Sequence, residues 1–422
     1  MKRLSGRAIR RGSSERKYLE RSQPISVHQV HIIAAETEAH RNGRSAKNMK
    51  IEKLETFVAV NWMMVRITTD NGIQGVGEST FFGWPGASKD VVLSFEPYLI
   101  GQDPLRTEHH WNYMYRAKSM RGGAIGGGIS AIDQALWDIK GKYFEAPVWQ
   151  LLGGKARDAV RAMLVLPTGT LEEVANAAAA AKADGFTAVK CLLYQHDHAP
   201  MRHSERIQDL VDRMAAVRDA VGWDMDVGVE IHRNMIPGEA IVLAQEIEKF
   251  RPYFFEDPVA PDSILSFGEV SEKTRIPMAA GERNLTIWEF REYVESAGIH
   301  HVRPDIGVAG GFTHCKKICA IAESHHQGII PHAVPSGPVA TAAHVQLGAC
   351  VPNYEVQEHL YEEKPPYSDV VKEIIKLDHG WLQIPEVPGI GVELDEEGIA
   401  KHPYEYGPIA HALRDDGSVA LR

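Results

Sequence analysis

Hydrophobic and polar residues alternate along the stretch that follows Met49, which reads IEKLETFVAVNWMMVRITTDNGIQGVGES. Alternation with a period of two predicts strands, and we interpret the stretch as two strands with a hairpin turn at residues 70–72, Asp-Asn-Gly. Apolar residues then recur at helical spacing, most clearly in GISAIDQALWDIKGKYF. Residues 49–157 are therefore predicted to form an α+β domain of about 100 residues, within the usual size range. The glycine-rich stretch GGAIGGG, residues 122–128, is interpreted as a flexible hinge of this domain.

From residue 158 onward, short apolar runs alternate with helical segments such as TLEEVANAAAAAKADG. The runs are VRAMLVLP, TAVKCLL, DMDVGVEI, RPYFFEDP, IPMAAGER, IHHVRPD, GIIPHA and YEVQEH. Apolar strands that alternate with helices predict parallel pairing with helical crossovers. Eight such strands predict a closed (β/α) barrel over residues 158–378, and a doubly wound open sheet is the structural alternative. Residues 379–422 begin with a Pro- and Gly-rich stretch and are predicted to return to the first domain.

The first 48 residues differ from the rest in charge. They hold eleven Lys and Arg against four Asp and Glu, a balance of +7, while the whole chain carries −10. This segment lacks the continuous apolar core of a secretory signal. A transit-like or nucleic-acid-binding arm is one alternative, but the prediction we favour is a disordered N-terminal extension over residues 1–48.

Composition narrows the class of protein. The chain has 422 residues, of which 44% are hydrophobic and 24% charged, as in soluble globular proteins. The negative net charge argues against a general nucleic-acid surface, and no apolar run is long enough to span a bilayer. The four cysteines, Cys191, Cys315, Cys319 and Cys350, form no CxxC pair. We therefore expect buried free thiols in a cytoplasmic protein.

Each of six consecutive predicted strands of the barrel ends in an ionisable residue. The steps between them are 26, 26, 23, 27 and 26 residues, each about one strand–helix unit. A single carboxylate at a strand end is more often a solvated loop residue, but six at matching positions favour a common site, because the carboxyl ends of barrel strands meet at one mouth. The six are Glu230, Glu256, Glu282, Asp305, His332 and Glu358.

Three glutamates that converge would repel one another unless a cation lies between them. Oxygen ligands favour Mg²⁺ first and Mn²⁺ second. Such an ion can hold a substrate carboxylate and stabilise the enediolate that forms when the neighbouring proton is removed. Asp305 and His332 end neighbouring strands, which predicts an oriented imidazole acting as the base, with a structural histidine as the alternative.

Several of these segments together resemble the enolase superfamily, in its mandelate racemase-like branch. The resemblance extends from about residue 49 to the mid-390s. It implies an α+β capping domain over a modified (β/α)7β barrel and one Mg²⁺ per subunit bound by Glu230, Glu256 and Glu282, with Mn²⁺ as a substitute. It also implies symmetric homo-oligomers, from dimers to octamers. The matching segments are AIDQALWDIKGK with LLGG, VEIHRN, FFEDPV, AAGERN, VRPDIGVAGGFTHCKKICAIAE, IIPHAVPSGPVATAA and VQEH.

The second predicted barrel strand separates the subgroups of this branch. Its racemases carry a Lys-x-Lys there, whereas this chain has Lys190 and, two residues later, Leu192. The missing second lysine argues against racemisation by two opposed bases. Lys190 is then expected to neutralise the substrate carboxylate, although a solvated lysine is an equal alternative. His232, two residues after Glu230, is similar to the general acid of D-galactonate-type sugar-acid dehydratases. There the histidine protonates the departing 3-hydroxyl group.

The resemblance thus predicts Mg²⁺-dependent dehydration of an aldonate, such as D-galactonate or D-gluconate, to a 2-keto-3-deoxy acid. His332, oriented by Asp305, would abstract the C2 proton, and His232 would protonate the leaving hydroxyl. The expected partner is a small sugar acid, with no nucleic acid and no membrane. Alternatives are a mannonate or other acid-sugar dehydratase, an epimerase, or a catalytically silent protein that binds metal and sugar acid. The last is open because Glu230 stands where the family commonly has Asp.

Three further residues are candidates for substrate contact. Glu358 can accept a hydrogen bond from the substrate, and Arg283 can reach either the metal site or a neighbouring carboxylate, although a structural ion pair is its alternative. Trp84 lies with Phe81 and Phe82 in STFFGWPG, residues 79–86, a predicted loop of the capping domain. Loops that close over a barrel mouth commonly set specificity, and an ordinary hydrophobic contact between the two domains is the alternative.

Overall fold

A computed structural model describes residues 49–194, 198, 200–407, 411 and 413–420. The predicted disordered extension, residues 1–48, lies outside the described residues. Three strands, rather than the two predicted, open the described part of the chain: β1 (Ile51–Ala59), β2 (Trp62–Thr69) and β3 (Gln74–Ser79). They form an antiparallel sheet in the order β1-β2-β3. The missed turn falls at Val60, which adopts a left-handed conformation (φ 53°), and the apolar run through it contains no Gly or Pro to mark the break.

Three helices complete the capping domain: α1 (Pro85–Leu99), α2 (Thr107–Arg116) and α3 (Gly123–Tyr143). Helices α1 and α3 pack on the sheet, and α2 packs against α3. The glycine-rich stretch predicted to be a hinge is instead the first part of α3. Its glycines allow close packing, because a Cβ atom at Gly127 would collide with the hydroxyl of Ser79 at the end of β3. The stretch therefore joins helix to sheet where the β3 strand approaches the barrel.

A short helix, α4 (Val148–Leu151), leads into eight parallel strands that alternate with seven helices. The predicted (β/α)7β order is confirmed. The strands are β4 (Ala159–Val165), β5 (Ala188–Leu192), β6 (Asp226–Glu230), β7 (Phe254–Glu256), β8 (Met278–Ala280), β9 (His301–Val302), β10 (Gly328–Ile329) and β11 (Gln357–His359). The helices are α5 (Leu171–Ala183), α6 (His203–Val221), α7 (Pro237–Ile247), α8 (Ile264–Lys273), α9 (Ile287–Ser296), α10 (Gly311–Ser324) and α11 (Pro338–Cys350).

Neighbouring strands pair in chain order from β4 to β10, and β11 pairs with β4. A parallel bridge also joins Ile329 of β10 to Tyr354, just before β11. The register aligns Leu192 with Glu230 and Glu230 with Glu256, so the carboxyl ends of these strands lie side by side. Six buried apolar side chains, four on the strands and two next to β10 and β11, pack together in one cluster. They are Met163, Ala188, Phe254, Ala279, Ile330 and Val356.

The C-terminal segment contacts both parts of the fold. Two short strands, β12 (Leu377–Asp378) and β13 (Trp381–Gln383), extend the sheet beside β4 in the antiparallel sense. After α12 (Glu396–Lys401), the carbonyl of His402 accepts the N–H of Val60, and Pro403 pairs with Ala59. All four cysteines are buried and free. None of the helices in the described residues is long and apolar enough to cross a membrane.

Candidate active site

The three glutamates predicted to converge lie on adjacent strands at the barrel mouth. Glu230 is the last residue of β6, Glu256 is the last residue of β7, and Glu282 follows the end of β8 by two residues. All three are buried. Because β6, β7 and β8 are hydrogen-bonded neighbours, the three carboxylates lie at the same edge of the sheet.

Lys190 of β5 lies among these carboxylates. Its Nζ is 2.6 Å from Oε2 of Glu230 and 3.3 Å from Oε2 of Glu256, and it also contacts Glu358. Burial lowers the pKa of Lys190, but the charges of Glu230, Glu256 and Glu358 outweigh burial and raise it overall. The amino group therefore stays charged and balances buried carboxylates. The predicted contact with a substrate carboxylate would have to compete with these three partners.

Two buried arginines complete the charge balance, and the sequence analysis missed both. Arg303 forms ion pairs with Glu256 and Glu358, and its Nη1 donates to the carbonyl of Ile330 at 3.0 Å. Arg233 forms ion pairs with Glu282 and, at 3.4 Å, with Asp257. Arg303 precedes Asp305 by two residues, and side chains two apart share a face of an extended segment. That spacing was the available signal for Arg303.

The site has oxygen atoms suited to a cation. Oε1 of Glu230 and both carboxylate oxygens of Glu256 are buried and accept no hydrogen bond, since the contacts of Glu256 with Arg303 and Lys190 lack hydrogen-bond geometry. Buried acceptors without donors are costly unless a cation or water satisfies them. Glu230 and Glu256 therefore offer oxygen ligands of the kind that a hard divalent ion takes.

His232 also faces this position. Its backbone and that of Arg233 are left-handed (φ 57° and 67°), which turns the imidazole back so that Nε2 lies 3.6 Å from Oε1 of Glu230. Ligand atoms of Glu230, His232 and Glu282 lie within 4.8 Å of one another, the one such group of possible metal ligands in the part of the chain that the structure describes. Burial lowers the pKa of His232, and the charge of Glu230 offsets this in part. Burial thus favours the neutral imidazole, which could act as a ligand, whereas the charge of Glu230 favours the protonated form, which can donate a proton.

Asp305 and His332 form the predicted pair. His332 Nδ1 lies 2.8 Å from Asp305 Oδ2, and the other oxygen of Asp305 accepts from Thr80 Oγ1 at 2.6 Å and from the N–H of Gly307 at 2.8 Å. The remaining nitrogen of His332, Nε2, is 3.6 Å from Oε2 of Glu282. Burial lowers the pKa of His332, but the charge of Glu282 and the hydrogen bond to Asp305 raise it to about 9.

A cavity of about 550 Å³ joins these groups. His232, Glu282, Asp305 and His332 line one side, and Arg283, whose Nε is 3.1 Å from Oε1 of Glu282, lines the rim. The other walls are mostly apolar. They comprise Thr80, Phe81, Phe82, Gly123, Leu285, Val308, Val334 and Pro335.

In the described part of the structure, three of the predicted substrate-binding residues do not line this cavity. Trp84 is 55% exposed at the N-terminus of α1, while Phe81 and Phe82 of the same loop form the wall. Lys190 and Glu358 contact each other and are not part of the cavity lining. Glu358 also accepts the N–H of Ala333, the residue after His332, at 2.9 Å. Glu358 thus holds the loop that carries His332.

Sequence profiles of two domain families match the chain. The profile described as enolase C-terminal domain-like matches residues 172–398. The N-terminal domain profile of mandelate racemase and muconate lactonizing enzyme matches residues 41–153. Together they cover both the capping domain and most of the barrel.

Curated relatives and solved structures agree with these matches. A D-galactonate dehydratase of Cronobacter sakazakii is 36% identical over 382 residues, which are 88% of this chain and all of that protein. A D-galactonate dehydratase of Verminephrobacter eiseniae is 37% identical over 385 residues, with the same coverage. A member of the enolase superfamily from Salmonella Typhimurium superposes with a TM-score of 0.79 at 32% identity, covering 84% of this chain and 98% of that one. An enolase from Agrobacterium radiobacter, bound to sodium and L-malate, superposes with a TM-score of 0.83 at 26% identity, covering 88% of this chain and all of that one.

Proposed function

Because the chain belongs to the mandelate racemase and muconate lactonizing enzyme group of the enolase superfamily, we propose that it dehydrates a sugar acid, with D-galactonate or a related aldonate as the substrate. It is a hydro-lyase, as its relatives are. The observation that carries the assignment is that His232 and His332 line one cavity, on either side of buried glutamates. Dehydration needs two proton-transfer groups of this kind, one at C2 and one at the 3-hydroxyl.

Glu230, Glu256 and Glu282 are the residues that we propose to hold a Mg²⁺ ion, with Mn²⁺ as a substitute. Oε1 of Glu230 and both carboxylate oxygens of Glu256, which accept no hydrogen bond, support this choice. The Agrobacterium radiobacter enolase was crystallised with bound sodium and L-malate, and this supports a protein that binds a cation and a 2-hydroxy acid. When bound, the ion would stabilise negative charge that develops on the substrate carboxylate.

His332 is proposed to take the C2 proton through Nε2. Its Nδ1 is held by Asp305, so Nε2 is the nitrogen left to face the cavity. The electron pair of the broken C–H bond moves into the carboxylate and produces an enediolate. Because the charge of Glu282 contributes to the raised pKa of His332, neutralising that charge would lower the pKa toward the range of a general base.

His232 is proposed to complete the elimination. Its proton goes to the 3-hydroxyl group as the C3–O bond breaks, so that the departing group leaves as water rather than as hydroxide. The enediolate electrons form the C2–C3 double bond, and the resulting enol tautomerises to the 2-keto-3-deoxy acid. The overall change is loss of one water molecule, and no oxidant or reductant is consumed.

The test is a panel of aldonates and aldarates, including D-galactonate, D-gluconate and mannonate, incubated with the protein and Mg²⁺ in deuterium oxide. Product is measured as 2-keto-3-deoxy acid, and exchange at C2 is measured by NMR. We expect His332→Asn to lose both exchange and dehydration, and His232→Asn to lose dehydration while keeping exchange. His379→Asn is the matched control, since His379 is 86% exposed in the left-handed turn between β12 and β13.

The alternatives give different results in the same assay. Exchange without dehydration by the wild-type protein would indicate an epimerase. Mg²⁺ binding without product or exchange from any acid would indicate a silent binding protein. Exchange that survives in His332→Asn would show that another group is the base.

A further inference from the structure

Thr80 belongs to the capping domain, yet it lies against the proposed base of the barrel. It follows β3 directly, is buried, and its hydroxyl donates to Asp305 Oδ1 across 225 positions of sequence. We propose that Thr80 is a positioning residue for the reaction: it locks the carboxylate of Asp305, which in turn orients His332. This inference rests on the proposed function, because it assigns a part to one more residue of the same site.

The hydrogen bonds of Asp305 divide between its two oxygens. Oδ1 accepts from Thr80 Oγ1 at 2.6 Å and from Gly307 N at 2.8 Å, and this leaves Oδ2 for His332 Nδ1 at 2.8 Å. A carboxylate that is held by two donors on one oxygen cannot rotate freely about its Cβ–Cγ bond. The imidazole is therefore presented with a defined tautomer and a defined ring plane.

The position of Thr80 is itself tightly defined. Its N–H donates to the carbonyl of Gly307 at 3.4 Å, and a Cβ atom at Gly307 would lie 2.5 Å from Thr80 Cγ2. Branching at Cβ restricts the side-chain conformations that fit in such a confined space. The close approach of Gly307 thus helps to hold the side chain whose hydroxyl donates to Asp305.

The same edge of the capping domain also holds the segment that follows His332. Glu78, two residues before Thr80, accepts the N–H groups of Gly337 at 2.6 Å and Ala340 at 3.0 Å. Trp62 donates its indole N–H to the carbonyl of Pro335 at 2.8 Å. Cap contacts therefore reach Asp305 directly and reach His332 through the loop that follows it, so the capping domain helps to build the base as well as to cover the site.

Thr80→Val tests the role of the hydroxyl, because valine has nearly the same shape and no donor. Thr80→Ser restores the donor without the methyl group. Thr69→Val is the matched control: Thr69 is also buried in the capping sheet, and its hydroxyl donates to the carbonyl of Ile73 at 3.0 Å. The measurements are kcat, KM and the rate of C2 deuterium exchange on the acid that the wild-type protein uses.

We expect Thr80→Val to lower kcat and C2 exchange by about 10- to 100-fold, the usual effect of losing a hydrogen bond that orients an active-site group. KM should change little, since the Thr80 hydroxyl donates its hydrogen bond to Asp305 rather than to the substrate. Thr80→Ser should recover most of the rate, and Thr69→Val should match the wild type. A rate of C2 exchange in Thr80→Val equal to that of the wild type would overturn the proposal. A raised KM with unchanged kcat would also overturn it, because it would indicate a direct contact with the substrate.

Failure of the proposed function is distinguishable from failure of this inference. If the wild-type protein exchanges no acid, the proposed function fails, and crystal structures of the wild type and of Thr80→Val then decide the positioning role. Loss of the contact between His332 Nδ1 and Asp305 Oδ2 in the variant, with Thr80→Ser retaining it, would support the role. A contact unchanged in Thr80→Val would overturn it.

Discussion

Lys190 offers a quantitative test of how the buried carboxylates are balanced. Replacing it with methionine keeps an unbranched side chain, one heavy atom shorter, and removes the positive charge between Glu230, Glu256 and Glu358. Arg303 remains beside Glu256 and Glu358. The carboxylate of Glu230 therefore loses its nearest cation while staying buried.

The size of the effect follows from the distances. At an effective dielectric constant of about 20, Coulomb's law gives about 6 kcal/mol for the contact of 2.6 Å with Glu230 and about 5 kcal/mol for that of 3.3 Å with Glu256. Much of this attraction is offset by the cost of taking the lysine out of water. Removal of one partner from a buried ion pair typically costs about 3–5 kcal/mol, and we expect Lys190→Met to lie in that range.

The assay is urea unfolding followed by far-UV circular dichroism, with a chelator and with Mg²⁺. The variant should be less stable than the wild type in chelator, and Mg²⁺ should narrow the difference, because the ion would restore positive charge among the same carboxylates. Lys182→Met is the matched control, since the pair of Lys182 with Asp224 is exposed (40% and 72% of the side chains) and such pairs contribute about 0–1 kcal/mol. A Lys190→Met variant within about 1 kcal/mol of the wild type in chelator would refute the reasoning.

Two further predictions concern pH and metal binding. Burial raises the pKa of Asp133, which accepts from Thr313, from 3.8 to about 7, so the folded protein binds this proton more tightly than the unfolded chain does. The resulting stabilisation is complete below about pH 4 and is lost as the pH rises toward 7. Measured by urea unfolding, Asp133→Asn should therefore gain stability relative to the wild type as the pH rises from 5 to 8. A difference in stability that stays constant over this range would contradict the prediction. For the metal, Glu256→Gln should weaken Mg²⁺ binding by at least about 10-fold in calorimetry, more than His232→Asn does. The reverse order would place His232, with Glu230 and Glu282, in the ligand set.

Sequence pattern alone predicted much of the barrel because its signals are local. The apolar runs mark the strands, and the regular length of a strand–helix unit places Glu230, Glu256 and Glu282 at equivalent points of successive turns. The same regularity brought Asp305 and His332 to neighbouring strands, and the structure joins them at 2.8 Å. The extra turn at Val60 was missed because it is made by a residue type that rarely adopts a left-handed conformation.

Contacts between distant segments were beyond the reach of such patterns. No local sequence pattern predicts that Arg303 pairs with Glu256 and Glu358. Nor does any predict that Lys190 contacts three carboxylates instead of solvent. The same limit explains Trp84, whose neighbours Phe81 and Phe82 face the cavity while its own ring lies in solvent. Which side chain of a loop turns inward depends on the backbone path of that loop and on the surfaces beside it.

By itself, the sequence determined which chemical groups stand at the barrel mouth, since strand periodicity and repeat length are properties of neighbouring residues. Only the tertiary structure decided how those groups are charged, paired and oriented. The hydrogen bond from Thr80 to Asp305 illustrates the difference, because it depends on the docking of a cap strand against a loop 225 residues away. Hydrogen bonds and buried charges act over a few ångströms, and distances of that size are set by packing of the whole chain.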